Sequence, residues 1–249
     1  EDDPDVPLFR FNRGTTALVL LAWPGAAWAW WSDRRGLAVG LIALSIAAAG
    51  YGDSTSALVA GLLAAVVAGA AAFAPSVTLA CGLFAAGLFT VLAPWVMLGL
   101  LGWIEPFAQA ISPSFLDRIE IWNHAAKAIV EAPIFGNGIG AIRHLALPDN
   151  TITGYRYLVK PPTHPHDAAL QIWLELGVVG VALFAVLIWV VARSMGALRS
   201  PWRAAAIAAA AGVIFTAMVS YGFWQETWLG IIGMVALAFR VLAPASGPR

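Results

Sequence analysis

The chain is predicted to be an all-α, polytopic integral membrane protein, and three observations predict it. Hydrophobic residues fill 60% of the 249 positions and charged residues only 11%, against roughly a quarter charged in an ordinary soluble domain. Seven apolar runs, 15–31, 36–51, 56–73, 78–103, 168–192, 204–220 and 227–243, have about the length that crosses a bilayer. Arginines gather in alternate connections between those runs. Formal net charge is zero, so the total gives no general affinity for nucleic acid or anionic surfaces. One cysteine, Cys81, lies inside an apolar run and cannot build a disulfide framework within the chain.

The chain opens Glu1-Asp2-Asp3-Pro4, with neither methionine nor a signal-peptide pattern. It is expected to be the C-terminal part of a longer protein, lacking N-terminal helices, and to form one membrane domain over 1–249. Arg10 and Arg13 precede the first run; they either snorkel at a helix end or meet an anionic substrate group. Alanine and glycine are abundant in the runs, and Ala64 to Ala72 suits close helix packing more than lipid contact. The basic turn Ser32 to Arg35, the loop Arg193 to Arg203 and the tail after Arg240 fall on one side of a seven-helix count. By the positive-inside rule that side is the cytoplasm. Residues 1–14, 52–55, 104–167 and 221–226 then face outward.

The segment 104–167 is the one large piece between runs, and a loop of that length is expected to be functional and to hold structure of its own. Phe115, Ile119, Trp122, Ala126 and Ile129 recur at steps of four and three, which predicts an amphipathic helix from near Ser112 to before Pro133. Arg118 falls on its apolar face, where a guanidinium needs an anionic partner or a route to water. Next comes Pro133-Ile-Phe-Gly136-Asn-Gly138-Ile-Gly140, either a compact turn or a backbone brought close to a ligand. No strand precedes it and no Lys-Ser/Thr follows, which excludes a nucleotide-binding loop. Tyr155, Arg156, Tyr157 and Lys160 suit sugar and phosphate contacts or a solvated loop equally.

The chemistry concentrates in Thr163-His164-Pro165-His166-Asp167, immediately before the fifth run. An imidazole at such a boundary is expected to stay wet enough to exchange protons, and the helix beneath it to fix its position. His164, His166 and Asp167 also invite a metal, but no further ligand cluster stands at diagnostic spacing. Glu175, two residues before Gly177 and five before Gly180, is expected to be a neutral, hydrogen-bonded acid that locks two helices, with proton transfer the lesser alternative and the two glycines serving close helix packing. Gln225 and Glu226, among Tyr221, Phe223, Trp224 and Trp228, are candidates to line the same cavity, while most of those aromatics read more simply as an interfacial belt.

His166, a polar residue, nine further residues and Gly177-Val-Val-Gly180 together resemble the signature of the bacterial O-antigen ligase and polymerase family. Arg118-x-x-x-Trp122 with the glycine turn at 133–140 resembles the same family, in the same order. Asp167 departs from the more usual Asn, Ser or Gln, and Thr55 stands near where the family often has an arginine. The resemblance implies the architecture of the polytopic lipid-donor glycosyltransferases (GT-C class), with 104–167 as a helical periplasmic loop in a bacterial inner membrane. It implies an inverting, metal-independent transferase without cofactor. The donor would be a glycan on polyprenyl diphosphate, and the acceptor lipid A-core, a second glycan or a protein hydroxyl. His166 would be the base, and Arg118 would hold the departing diphosphate. Arg13, Arg143 and Lys160 are the next phosphate candidates; Trp122, His164 and Asp167 complete the binding set. A transporter of the same lipid-linked glycan is the alternative from another class, and it would place its ionisable residues near the bilayer midplane.

Overall fold

The computed structural model describes residues 12–52, 54–145 and 162–244. Among the described residues every regular element is helical: α1 Asn12–Trp31, α2 Arg35–Tyr51, α3 Thr55–Phe73, α4 Pro75–Ile104, α5 Pro113–Glu131, α6 Ala168–Gly196, α7 Trp202–Val219 and α8 Glu226–Leu242. Short 3-10 turns cover Glu105–Ala110 and Ala141–His144. Each of the seven apolar runs forms a helix. Four of these, α3, α4 with its 3-10 extension, α6 and α7, are long and apolar enough to cross a membrane, which makes this a multi-pass membrane protein. The other three fall short of that measure for local reasons. Helices α2 and α8 have 17 residues each, and α1 dilutes its apolar content with threonines, tryptophans and Pro24.

The chain divides into two compact units. The first comprises Glu1–Leu83, Val190–Thr216 and Trp224–Arg249. In it α1 packs on α2, α3 and α8 through small side chains. Val19 meets Ala49 and Ala57, and Ala26 and Ala29 meet Ala38. A Cβ on Gly61 would stand 2.8 Å from Ile46 and 3.2 Å from Val19, so glycine here sets how closely the helices approach. The alanine-rich run 64–72 departs from expectation. Only Ala64 and Ala71 in it are buried, and Val66 is 72% exposed. At 3.6 residues per turn a single stripe of α3, Ala57, Ala60, Gly61, Ala64 and Ala71, can face its neighbours; the rest of the run is outward apolar surface.

The second unit comprises Phe84–Trp189 and Ala217–Phe223. Pro94 in α4 has no N–H to give the Thr90 carbonyl. The Trp173 indole on α6 donates to that oxygen instead, at 2.7 Å, and packs edge-on against Trp95. Asn123 of α5 donates to the carbonyls of Met97 and Leu98 on α4, at 3.2 and 3.0 Å. Helix α5 is more enclosed than an amphipathic surface helix. Of its predicted stripe, Ile119, Trp122, Ala126 and Ile129 are buried and Phe115 is exposed, while Asp117, Glu120 and Asn123 on other faces are buried as well. For Asn123 the two bonds to α4 carbonyls make that burial tolerable.

Helix α6 is broken at Gly177, whose φ of 61° and ψ of −156° only glycine adopts readily. The 133–140 turn fills the break. Asn137 and Gly138 donate their backbone N–H groups to the carbonyls of Leu174 and Glu175, at 2.7 and 3.1 Å, and Val178 donates to the Pro133 carbonyl at 2.9 Å. Glu175 Oε1 accepts from Gly140 N and from Gln171 Nε2, at 3.1 and 3.0 Å. Glu175 therefore ties α6 to the glycine turn. Gly180 likewise serves the bend: a Cβ there would collide with Leu176 of its own helix.

Candidate active site

The site is assembled in the second unit from α5, the 163–167 loop and the residues that follow α7. A helix ends with carbonyls that lack intrahelical partners and carry partial negative charge. At the end of α7 two side chains take those carbonyls. Arg118 Nη1 donates to Val219 O at 3.2 Å, and the His166 Nδ1 position lies 2.9 Å from Ser220 O. A carbonyl only accepts, so Nδ1 of His166 carries the proton and Nε2 presents a lone pair.

The loop itself is held tightly. His166 has φ of +59°, a left-handed conformation that costs about 1–3 kcal/mol in a non-glycine residue. Its backbone N–H donates to His164 Nδ1 at 3.2 Å, which fixes His164 as the tautomer with its proton on Nε2. The two rings meet edge-on with centroids 4.1 Å apart. A Cβ on Gly222 would stand 2.7 Å from the His164 ring, so the segment after α7 must carry glycine there to admit the histidine. Trp122 donates its indole N–H to Pro165 O at 2.7 Å. Phe223 N donates to Gln171 Oε1 at 2.7 Å, tying the same segment to α6.

Electrostatics follow from this enclosure. Burial first, and the Arg118 charge beside it, bring His166 down to about 4, although the Ser220 carbonyl pulls upward. His164 falls to about 3 through burial, the neighbouring His166, and the charges of Arg118 and Arg143. Both rings are therefore neutral at physiological pH. Burial pushes Asp167 up to about 7 against hydrogen bonds from Leu170 and Ala169 that pull it down. Its Oδ1 caps α6 by accepting from Leu170 N at 3.0 Å, while its buried Oδ2 has no partner among the described residues. Arg118 is lowered by burial yet stays cationic, as arginines do, and its Nε is buried without a partner among the described residues.

Arg118, Trp122, His164, His166 and Asp167 are thus brought together, with the charge of Arg143, itself exposed, reaching His164. His166 is half-buried, so part of its ring stays open to proton exchange, and the Ser220 carbonyl and a strained backbone hold it in addition to its place just before α6. Two expectations change, for Trp122 and for the aromatic belt. The Trp122 indole is buried with its N–H spent on Pro165, so it positions the loop and has no donor left for a substrate. Tyr221 and Trp228 are buried and form no interfacial belt. Arg13 lies exposed at the start of α1 in the first unit, and Lys160 lies outside the described residues. The roles of Val219, Ser220 and Gly222 escaped the sequence reading because they act through backbone atoms and a missing Cβ. Gln171, a buried amide four residues before Glu175 in an apolar run, was a signal that pointed to them.

Comparison with known proteins bears on the same stretch. A protein of Rickettsia typhi with the provisional name polysaccharide ligase is 35% identical over 123 residues, covering 48% of this chain and 30% of its own. A similarly named protein of Rickettsia bellii is 31% identical over 133 residues, covering 52% and 33%, and one of Rickettsia conorii is 32% identical over 123 residues, covering 48% and 30%. The match therefore spans about a third of the length of these relatives. No solved structure matches. Residues 39–185, more than half of the chain and including Arg118, both histidines and the Gly177 break, match the family described as O-Antigen ligase, and the chain belongs to that family.

Proposed function

We propose that this protein transfers a glycan from a polyprenyl diphosphate to an acceptor hydroxyl, with His166 as base and Arg118 beside the leaving group. Family membership and the names of its relatives support a ligase role of the glycosyl-transferring kind. The observation that carries the finer reading is the His166–Ser220 contact, which leaves Nε2 unprotonated next to a partly buried cation. The acceptor oxygen attacks the anomeric carbon as its proton passes to Nε2. The bond from that carbon to the diphosphate breaks on the opposite face, and the lipid diphosphate departs with the electron pair. Such direct displacement inverts the anomeric centre. The guanidinium stabilises the charge that grows on the departing oxygens, and the step calls for neither nucleotide nor metal. Arg143 and Lys160 are further phosphate contacts in this proposal. The acceptor we favour is lipid A-core, and the reaction face is periplasmic at the inner membrane.

The test is transfer of labelled glycan from polyprenyl diphosphate to lipid A-core, to free glycan and to protein, in separate assays. His166→Ala is expected to lower transfer by roughly 10²–10⁴-fold, the usual worth of a general base, and Arg118→Ala by a comparable factor. Transfer in the parent protein should persist from neutral pH down to about 5, because the base stays neutral until about 4. Parental rates in His166→Ala remove the base from the mechanism. Preference for a glycan acceptor makes the enzyme a polymerase.

A further inference from the structure

Away from that site, the first unit holds a cleft of about 230 Å³ between the α3–α4 turn and the α6–α7 loop. Arg199, Ser200 and Arg203 line one wall, and Ala71, Pro75 and Ala204 form the apolar remainder. No carboxylate lines the cleft among the described residues. Arg203 N donates to the Arg199 carbonyl at 2.9 Å, so the two arginines stand one helical turn apart. Like charges at that spacing repel unless an anion lies between them. Arg203 Nε donates to Leu198 O at 2.8 Å, which fixes the guanidinium plane and leaves its terminal nitrogens without a partner among the described residues. The cleft also receives the first residues of α4 and α7, whose early N–H groups add positive potential.

We infer that this cleft binds the phosphate of an anionic phospholipid headgroup, with Arg199 and Arg203 as a two-point clamp and Ser200 as a hydroxyl donor. Guanidinium forks match phosphate oxygens in geometry as well as charge. At about 230 Å³ the space is smaller than the roughly 300–1,000 Å³ of sites for larger organic ligands, which suits a headgroup rather than a glycan. Its alanine and proline wall, beside the outward apolar faces of α3 and α4, gives the first methylenes of an acyl chain a dry path that a free anion would not use. The arginines put this loop on the side where anionic headgroups and basic residues attract one another. The inference is independent of the glycan-transfer reading.

The full chain, purified in detergent, is to be examined by native mass spectrometry against phosphatidylglycerol, phosphatidylcholine and inorganic phosphate. One copy of phosphatidylglycerol is expected to bind at least about tenfold more tightly than phosphatidylcholine, and Arg199→Gln with Arg203→Gln to remove that difference. Arg199→Gln alone, at an exposed residue, should weaken phosphatidylglycerol measurably and guards against loss of fold in the pair. Arg34→Gln with Arg35→Gln, an equally basic turn, should leave binding unchanged. Undiminished binding in the Arg199/Arg203 variant, or equal loss in the Arg34/Arg35 variant, overturns the site. Inorganic phosphate that displaces the lipid at equal concentration overturns the lipid as its occupant.

Discussion

Asp167 is the residue whose environment is most out of balance. Its carboxyl is fully buried, one oxygen caps α6, and the other has no partner among the described residues. Burial raises it from 3.8 to about 7. Between those two values the folded state holds a proton that the unfolded state has released, so stability falls as pH rises through that window. The histidines act oppositely and lower down: depressed from 6.5 to about 3 and 4, they make stability rise with pH up to their unfolded value. Asp167→Asn keeps the capping oxygen and removes the charge. It is expected to stabilise the protein at pH 8 by roughly 1–3 kcal/mol, because the buried site no longer has to hold an ionised carboxylate, and to change little at pH 4. Thermal unfolding at the two pH values checks this; a gain of equal size at both would mean that charge is not the cause. At this scale the sequence was half legible. His164, His166, Asp167 and Arg118 stood out as polar groups beside apolar runs, whereas their partners Val219 and Ser220 act through backbone carbonyls that any residue type supplies.

The elements depend on the break in α6, because it lets the 133–140 turn dock and so closes the frame above which α5 and the histidine loop stand. A Cβ on Gly177 would strike Ile134 and Gly136 backbone, and one on Gly136 would stand 2.5 Å from the Glu175 backbone. Both also have positive φ, so an alanine at either meets backbone that cannot yield and a conformation it resists. Gly138 and Gly140 have positive φ too, but open space around them. Gly177→Ala and Gly136→Ala are therefore expected to cost more than about 3 kcal/mol, and Gly138→Ala only about 1–2 kcal/mol, the left-handed penalty alone. Unfolding temperatures of the three variants in one detergent give the ranking, and a Gly138 variant as unstable as the Gly177 one would contradict it. Alternating glycines announced a tight turn in the sequence. That its partner is a helix forty residues on was not readable, because Gly177 lies in a run whose apolar character predicts an unbroken span. The same limit explains α5: its stripe of apolar residues was visible, but burial of Asp117, Glu120 and Asn123 depends on what packs around the helix.

For the molecule as a whole, apolar length foretold the positions of all seven helices among the runs, since hydropathy and 1.5 Å per residue are properties of the chain alone. Sidedness rests on a different physical effect, the retention of arginine-rich connections in the cytoplasm. It matters because the proposed donor must be met on the outer face, and the lipid clamp at Arg199 and Arg203 belongs on the inner one. The two ideas therefore make opposite demands on two loops. Cys81, which is exposed, is first replaced by alanine so that the chain carries no native thiol. Single cysteines are then placed at His144, beside the 3-10 turn that follows the glycine loop, and at Ala197, in the α6–α7 connection; both positions are exposed. With a membrane-impermeant maleimide on spheroplasts, His144→Cys is expected to label at once and Ala197→Cys only after lysis. The reverse pattern would put the histidine loop on the cytoplasmic face, where a periplasmic glycan has no access to His166, and would carry the arginine clamp away from the leaflet that its charge favours. Labelling of both without lysis would mean that the number of spans between the two loops is even, and that α6 does not cross.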